Sequence, residues 1–169
     1  MSLKPATQPA KIQNRAVAIF GGTFDPVHHG HLRAAAEVSE WLKVTDFRLV
    51  PVGSPPHRSH TYASAFHRLA MLELALAPYS DLTVDDREVR RGGRSFMVDT
   101  LQSVREEVQD APVFLCLGQD AANHLNTWRD WEKIFELAHL VVMTRPDSQS
   151  SYPPELESAI GQRRVMRTR

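Results

Sequence analysis

Neither sign of charge is in excess in this chain. Twenty lysines and arginines meet twenty aspartates and glutamates over 169 residues, a formal net charge of zero. Without a basic surplus, nothing in the composition calls for nucleic acid or an anionic membrane as a partner. Cysteine is nearly absent too. The single Cys116 excludes a disulfide within the chain and agrees with a reducing, cytoplasmic setting. No apolar run reaches the roughly 20 residues of a membrane helix, and no internal repeat is present. The opening stretch MSLKPATQPAKIQN lacks the apolar middle of a signal peptide. With Pro5, Pro9 and few large apolar groups, residues 1–14 read as a disordered tail.

The rest, residues 15–169, is rich enough in apolar residues for one domain with a substantial core. Short apolar runs at 15–20, 47–52, 82–85, 113–117 and 140–144 read as strands. Between them, apolar residues recur at helical spacing: Leu32, Ala35, Val38 and Leu42; then Leu69, Leu72 and Leu76; then Val98, Leu101, Val104 and Val108. Shorter helices are expected at 120–125, 131–138 and 155–161, and Gly92-Gly93 marks a turn. Strands alternating with helices predict an α/β fold, a parallel sheet with helices on both faces. Ligands of such sheets bind beyond the carboxyl ends of the strands. The polar motifs fall there: residues 21–31, 55–58 and 118–120, and Arg145, each after a different strand.

The first of these motifs, GGTFDPVHHGH, joins a strand to a helix. Gly21 and Gly22 are expected to let the backbone turn sharply and approach a ligand. The N–H groups of Thr23 and Phe24 then face an anion, and Asp25-Pro26 sets a turn. His28 and His31, three residues apart, project from one side of a helix start, where negative charge is favoured. The result suits a polyphosphate. It is neither a Walker A loop nor a dinucleotide fingerprint, since both the Gly-Lys-Ser/Thr ending and G-x-G-x-x-G are missing. Two other readings stay open: a histidine helix cap, or two metal ligands with His57 as the third. The glycine-rich turn has no purpose in the metal reading, so no metal site is assigned. Trp128 reads as a ligand contact or as core, and Asp120 as a ribose ligand or a helix cap. Trp41 and Trp131 read as packing, and Cys116, inside an apolar strand, as inert core.

The motif resembles the glycine-rich and H-x-G-H signature of the nucleotidyltransferase superfamily, and its full form is similar to bacterial nicotinate-nucleotide adenylyltransferases. PPHR at 55–58, RLAMLELAL at 68–76, GQD at 118–120, TW at 127–128 and RP at 145–146 follow in the family's order. The resemblance spans residues 16–146 and implies a Rossmann-like fold. It implies adenylyl transfer from ATP to nicotinate mononucleotide, with Mg²⁺, giving nicotinate adenine dinucleotide and pyrophosphate in NAD biosynthesis. His28 and His31 would be catalytic and, with Gly21, Gly22, Thr23, Phe24, Gly118 and Asp120, would bind ATP. His57, Arg58, Ser95, Met97, Trp128 and Arg145 would bind the mononucleotide. Other nucleotidyl transfers of the superfamily, and a non-catalytic nucleotide-binding module, are the competing readings.

The chain departs from the family in two places. Ser95-Phe96-Met97 stands where the family reads Ser-Tyr-Thr, so the nicotinate carboxylate falls to backbone N–H groups near Ser95–Met97 and Trp128. The family's late Ser-x-Thr-x-x-Arg motif has no counterpart. Residues 15–169 are therefore expected to form a domain that lacks its C-terminal part, with no strand after the 155–161 helix to close the sheet edge.

Overall fold

The computed structural model describes residues 16–56, 60–144, 151–161 and 166–168. The chain opens with β1 (Val17–Gly22), α1 (His29–Leu42), β2 (Asp46–Pro51), α2 (Ala65–Leu76) and β3 (Leu82–Val84). It continues through α3 (Arg87–Arg91), α4 (Met97–Val108), β4 (Val113–Gly118) and α5 (Gln119–Asn123). A 3-10 turn at Leu125–Thr127 leads to α6 (Trp131–Leu137), β5 (His139–Met143), α7 (Pro154–Gly161) and β6 (Met166–Thr168). The strands form one six-stranded sheet of order β3-β2-β1-β4-β5-β6, and every pairing is parallel. Strand order reverses between β1 and β4, the switch point where a doubly wound sheet opens a crevice.

Period-two alternation splits the core into two layers. Ala18, Phe20 and Cys116 face α1 and α2, packing with Leu32, Ala35, Val38 and Leu72. Val17, Ile19, Val113 and Leu115 face the other way and meet Val98, Leu101 and Val104 of α4, Ile134 of α6 and Leu156 of α7. Cys116 is fully buried, as expected of inert core. Burial pushes its thiol pKa far above the ordinary value, so it stays protonated.

Several details differ from the sequence reading. Gly21 and Gly22 belong to β1, paired with Val50 and Pro51, and neither has a positive φ. The left-handed backbone of this turn falls on Phe24, with φ 47°. The glycines are needed for close approach: a Cβ on Gly21 would stand 2.4 Å from Met97 Cε, and one on Gly22 would stand 2.8 Å from Phe24 Cζ. The buried residues of α2 are Arg68, Leu72 and Leu76, a spacing of four that replaces Leu69 by a charged residue. The single turn of α3 was too short to leave a periodic signal. Gly92 and Gly93 do take positive φ, 68° and 67°. Trp41 is half exposed (50%) rather than packed, whereas Trp131 packs edge-on against Phe135. β6 follows α7 and pairs with β5, so a late strand does extend the edge. Its three residues, Met166, Arg167 and Thr168, held too few apolar groups to register as a strand.

Candidate active site

The switch point holds a pocket of about 280 Å³. Gly21, Gly22 and Thr23 line it from the end of β1, and Leu117 and Gly118 from the end of β4. Val52, Pro55 and Pro56 enter from the loop after β2; Ser95, Phe96 and Met97 come from the start of α4. Trp128 and Arg129 close the wall beyond the 3-10 turn. Seven of the residues singled out from sequence thus share one cavity: Gly21, Gly22, Thr23, Ser95, Met97, Gly118 and Trp128. A Cβ on Gly118 would meet no protein atom within 4 Å, so protein crowding does not account for the glycine there.

The histidines stand apart from this lining, at the N-terminus of α1. His28 occupies the N-cap position. Its backbone N–H donates to His31 Nδ1 at 3.3 Å, and its carbonyl accepts from His31 N–H at 2.9 Å. The two rings stack with centroids 3.7 Å apart. Acceptance at Nδ1 leaves the proton of neutral His31 on Nε2. His31 also leans edge-to-face on Phe24, 5.0 Å between centroids. Phe24 itself is 2% exposed, a core residue beneath the glycines. The capping reading thus captured real geometry, and a cap built from imidazoles still presents ring nitrogens at a helix start.

Asp120 lies exposed in the first turn of α5, but Gly118 holds the N-cap there and no side chain caps the helix. The capping alternative for Asp120 is therefore not realised. Ser95 is buried and its Oγ accepts the Gly53 N–H at 3.0 Å, tying the β2 loop to α4. Trp128 is half-buried: one part packs on the core and another lines the pocket. His57, Arg58 and Arg145 lie outside the described residues. Among the described residues, no three His, Cys, Asp or Glu side chains gather as a metal-ligand set.

Sequence reasoning missed three charged residues. Glu88, 2% exposed, also lines the pocket. Its Oε1 accepts from Thr100 Oγ1 at 2.6 Å, while Oε2 has no partner among the described residues. Burial raises its pKa above the ordinary carboxylate value, against the opposing pull of Thr100, Ser95 and Arg91. Arg129 lies 3.9 Å over the Phe96 ring and pairs with Asp99. Arg68, 1% exposed, donates to Thr23, Val52, Gly53 and Ala63 carbonyls. Burial lowers its pKa, and the charge of Asp25 opposes that shift. Of the three, only Arg68 had a sequence signal, since it opens RLAMLELAL.

The cytidylyltransferase-like family model matches residues 19–165. A Methylococcus capsulatus protein named probable nicotinate-nucleotide adenylyltransferase is 47% identical over 150 residues, covering 88% of this chain and 71% of the relative. A Pseudomonas fluorescens protein of the same name is 45% identical over 152 residues, covering 89% and 71%. Among solved structures, the Plasmodium falciparum nicotinic acid mononucleotide adenylyltransferase complexed with NaAD superposes with a TM-score of 0.74. That match covers 91% of this chain and 75% of the other at 16% identity, a likeness of fold. With these identities over most of its length, and a pocket set at the sheet's switch point beside an H-x-G-H helix start, the chain belongs to the nicotinate-nucleotide adenylyltransferase family.

Proposed function

We propose that the chain transfers the adenylyl group of ATP to nicotinate mononucleotide, forming nicotinate adenine dinucleotide and releasing pyrophosphate, a step of NAD biosynthesis. The observation that carries this reading is the pairing of two features at one strand end. The imidazoles of His28 and His31 stand at the N-terminus of α1, and a mostly apolar pocket with Trp128 in its wall lies beside the glycines that precede them.

A phosphate oxygen of the mononucleotide attacks the α-phosphorus of ATP. The new P–O bond forms as the bond to the β-phosphate bridge breaks, and pyrophosphate leaves. The nucleophile is already anionic, so no strong general base is required, and positioning with charge neutralisation carries the catalysis. His28 and His31 meet the triphosphate as donors, aided by the helix start. Thr23 and the Gly21-Gly22 backbone approach the reacting phosphates, the buried Phe24 contributing backbone only. Asp120 and Gly118 receive the adenosine end. Trp128 stacks on the pyridine ring; Ser95 and Met97 border it, and His57, Arg58 and Arg145 serve the mononucleotide. Mg²⁺ enters with ATP and, when bound, neutralises phosphate charge. A hard cation carried on a triphosphate needs few protein oxygens, and Glu88 is the carboxylate among the described residues lining the pocket. The partners are small nucleotides.

Pyrophosphate release, followed with ATP and a panel of mononucleotides that includes the acid and amide pyridine forms, tests the reading. Turnover is expected to be highest with nicotinate mononucleotide. ATP binding by calorimetry without turnover on any acceptor would instead identify a nucleotide-binding module.

A further inference from the structure

Arg68 combines three observations. It is 1% exposed, it forms no ion pair closer than 4 Å among the described residues, and its guanidinium is spent on backbone carbonyls. Nη1 donates to Thr23 O and to Val52 O, each at 2.7 Å. Nη2 donates to Gly53 O at 3.0 Å, and Nε to Ala63 O at 3.2 Å. A buried cation is costly unless hydrogen-bonded, and a one-turn tether between a helix and its own loop would not need four hydrogen bonds from one guanidinium. These acceptors belong to three segments: the turn after β1, the loop after β2, and the approach to α2. Asp25, on the first segment, also grips the third. Its Oδ2 accepts from Tyr62 N–H at 2.6 Å and its Oδ1 from Ala63 N–H at 3.0 Å.

We propose that Arg68 is a positioning residue for adenylyl transfer, clasping the β1 turn to the β2 loop so that the phosphate face and the pyridine pocket keep a fixed spacing. Thr23 and Val52 both line the pocket. Gly53 carries the clasp onward, because its N–H donates to Ser95 Oγ beside Met97. One guanidinium therefore links the strand end that precedes His28 to the start of α4. A lysine could keep the charge but not the fork, because its ammonium is a single point with three donors.

The inference rests on the proposed function and is tested in the full chain. Arg68→Lys is compared with the parent by ATP calorimetry, whose stoichiometry counts competent molecules, and by steady-state turnover. Per competent molecule, kcat is expected to fall at least about tenfold, while ATP affinity and both KM values shift by less than about threefold. A merely structural arginine would lower the number of competent molecules and leave their kcat unchanged, which would overturn the inference. If Arg68→Lys does not fold, Asp25→Asn loosens the same clasp more gently. It is expected to lower kcat several-fold with both KM values retained, and an unchanged kcat there would also overturn the inference. If the parent turns over no mononucleotide, it is the adenylyl-transfer reading that fails, and the clasp's role in that reaction falls with it.

Discussion

Substituting Gly22 with alanine tests whether the histidine pair depends on the packing beneath it. The added Cβ would stand 2.8, 3.0 and 3.1 Å from three carbons of the Phe24 ring. Ordinary carbon contacts lie near 3.5–4.0 Å, so the ring must retreat by roughly 0.7 Å or more. It has little room, being 2% exposed and held edge-on between Phe20 at 5.7 Å and His31 at 5.0 Å. Overpacking of this kind costs about 1–3 kcal/mol, equivalent to a fall in Tm of roughly 2–12 °C for a domain of this size. The strain reaches the chemistry because His31 leans on that ring and stacks on His28. Misplacement approaching 1 Å costs about a hundredfold in rate, so kcat is expected to fall by about tenfold to a hundredfold. Gly21→Ala is the control. Its Cβ comes closer still, 2.4 Å, but to the terminal Cε of Met97, which can swing aside. Thermal melts and turnover of both variants decide the matter. A Gly22→Ala protein as stable and as fast as the parent, or one less damaged than Gly21→Ala, would refute the argument.

Other perturbations address the remaining groups. His31→Ala is expected to lower kcat about a hundredfold, as loss of a transition-state contact does, with a smaller change in mononucleotide affinity; near-normal turnover with a lowered Tm would reduce the residue to its capping role. Trp128→Ala is expected to raise the KM for the mononucleotide more than that for ATP, since stacking acts mainly on ground-state binding of one substrate; equal changes in both would mark it as core. Glu88 holds its proton more tightly in the folded chain than in the unfolded one. Its contribution to stability is therefore present below the usual carboxylate pKa and is lost as pH rises through the raised folded value. Urea unfolding across that window should show stability falling more steeply with pH in the parent than in Glu88→Gln, and parallel profiles would exclude a raised Glu88 pKa.

What the sequence could reveal was local. The stripe Leu32, Ala35 and Val38 is buried along α1 as its period predicts, and the strand-helix alternation led directly to the parallel sheet. Motifs after separate strands were legible as neighbours, because a parallel sheet brings every carboxyl end to one edge. Contacts across the fold were not legible. The twin glycines looked like a turn, since a sequence does not display that Met97 would lie against Gly21. Their adjacency to the turn was informative, but its physical cause was crowding, of Gly21 by the distant Met97 and of Gly22 by the ring of Phe24 two residues on.

The misreading of α2 has the same origin. Hydrophobic periodicity scores arginine as polar, so it points to Leu69, although the residue that is buried is its neighbour Arg68. Nothing within the helix could justify burying a guanidinium there. The justification comes from the carbonyls of Thr23, Val52 and Gly53, which the topology delivers only after β1 and β2 have paired. Glu88 follows the same logic, since its burial makes sense only with Thr100 of α4 beside it. Charged residues buried among distant partners are where local sequence rules fail, and they are also where a fold can hold one loop against another. At this strand end the conflict coincides with the pocket: Arg68 fixes the loops that form two of its walls, and Glu88 lies in a third.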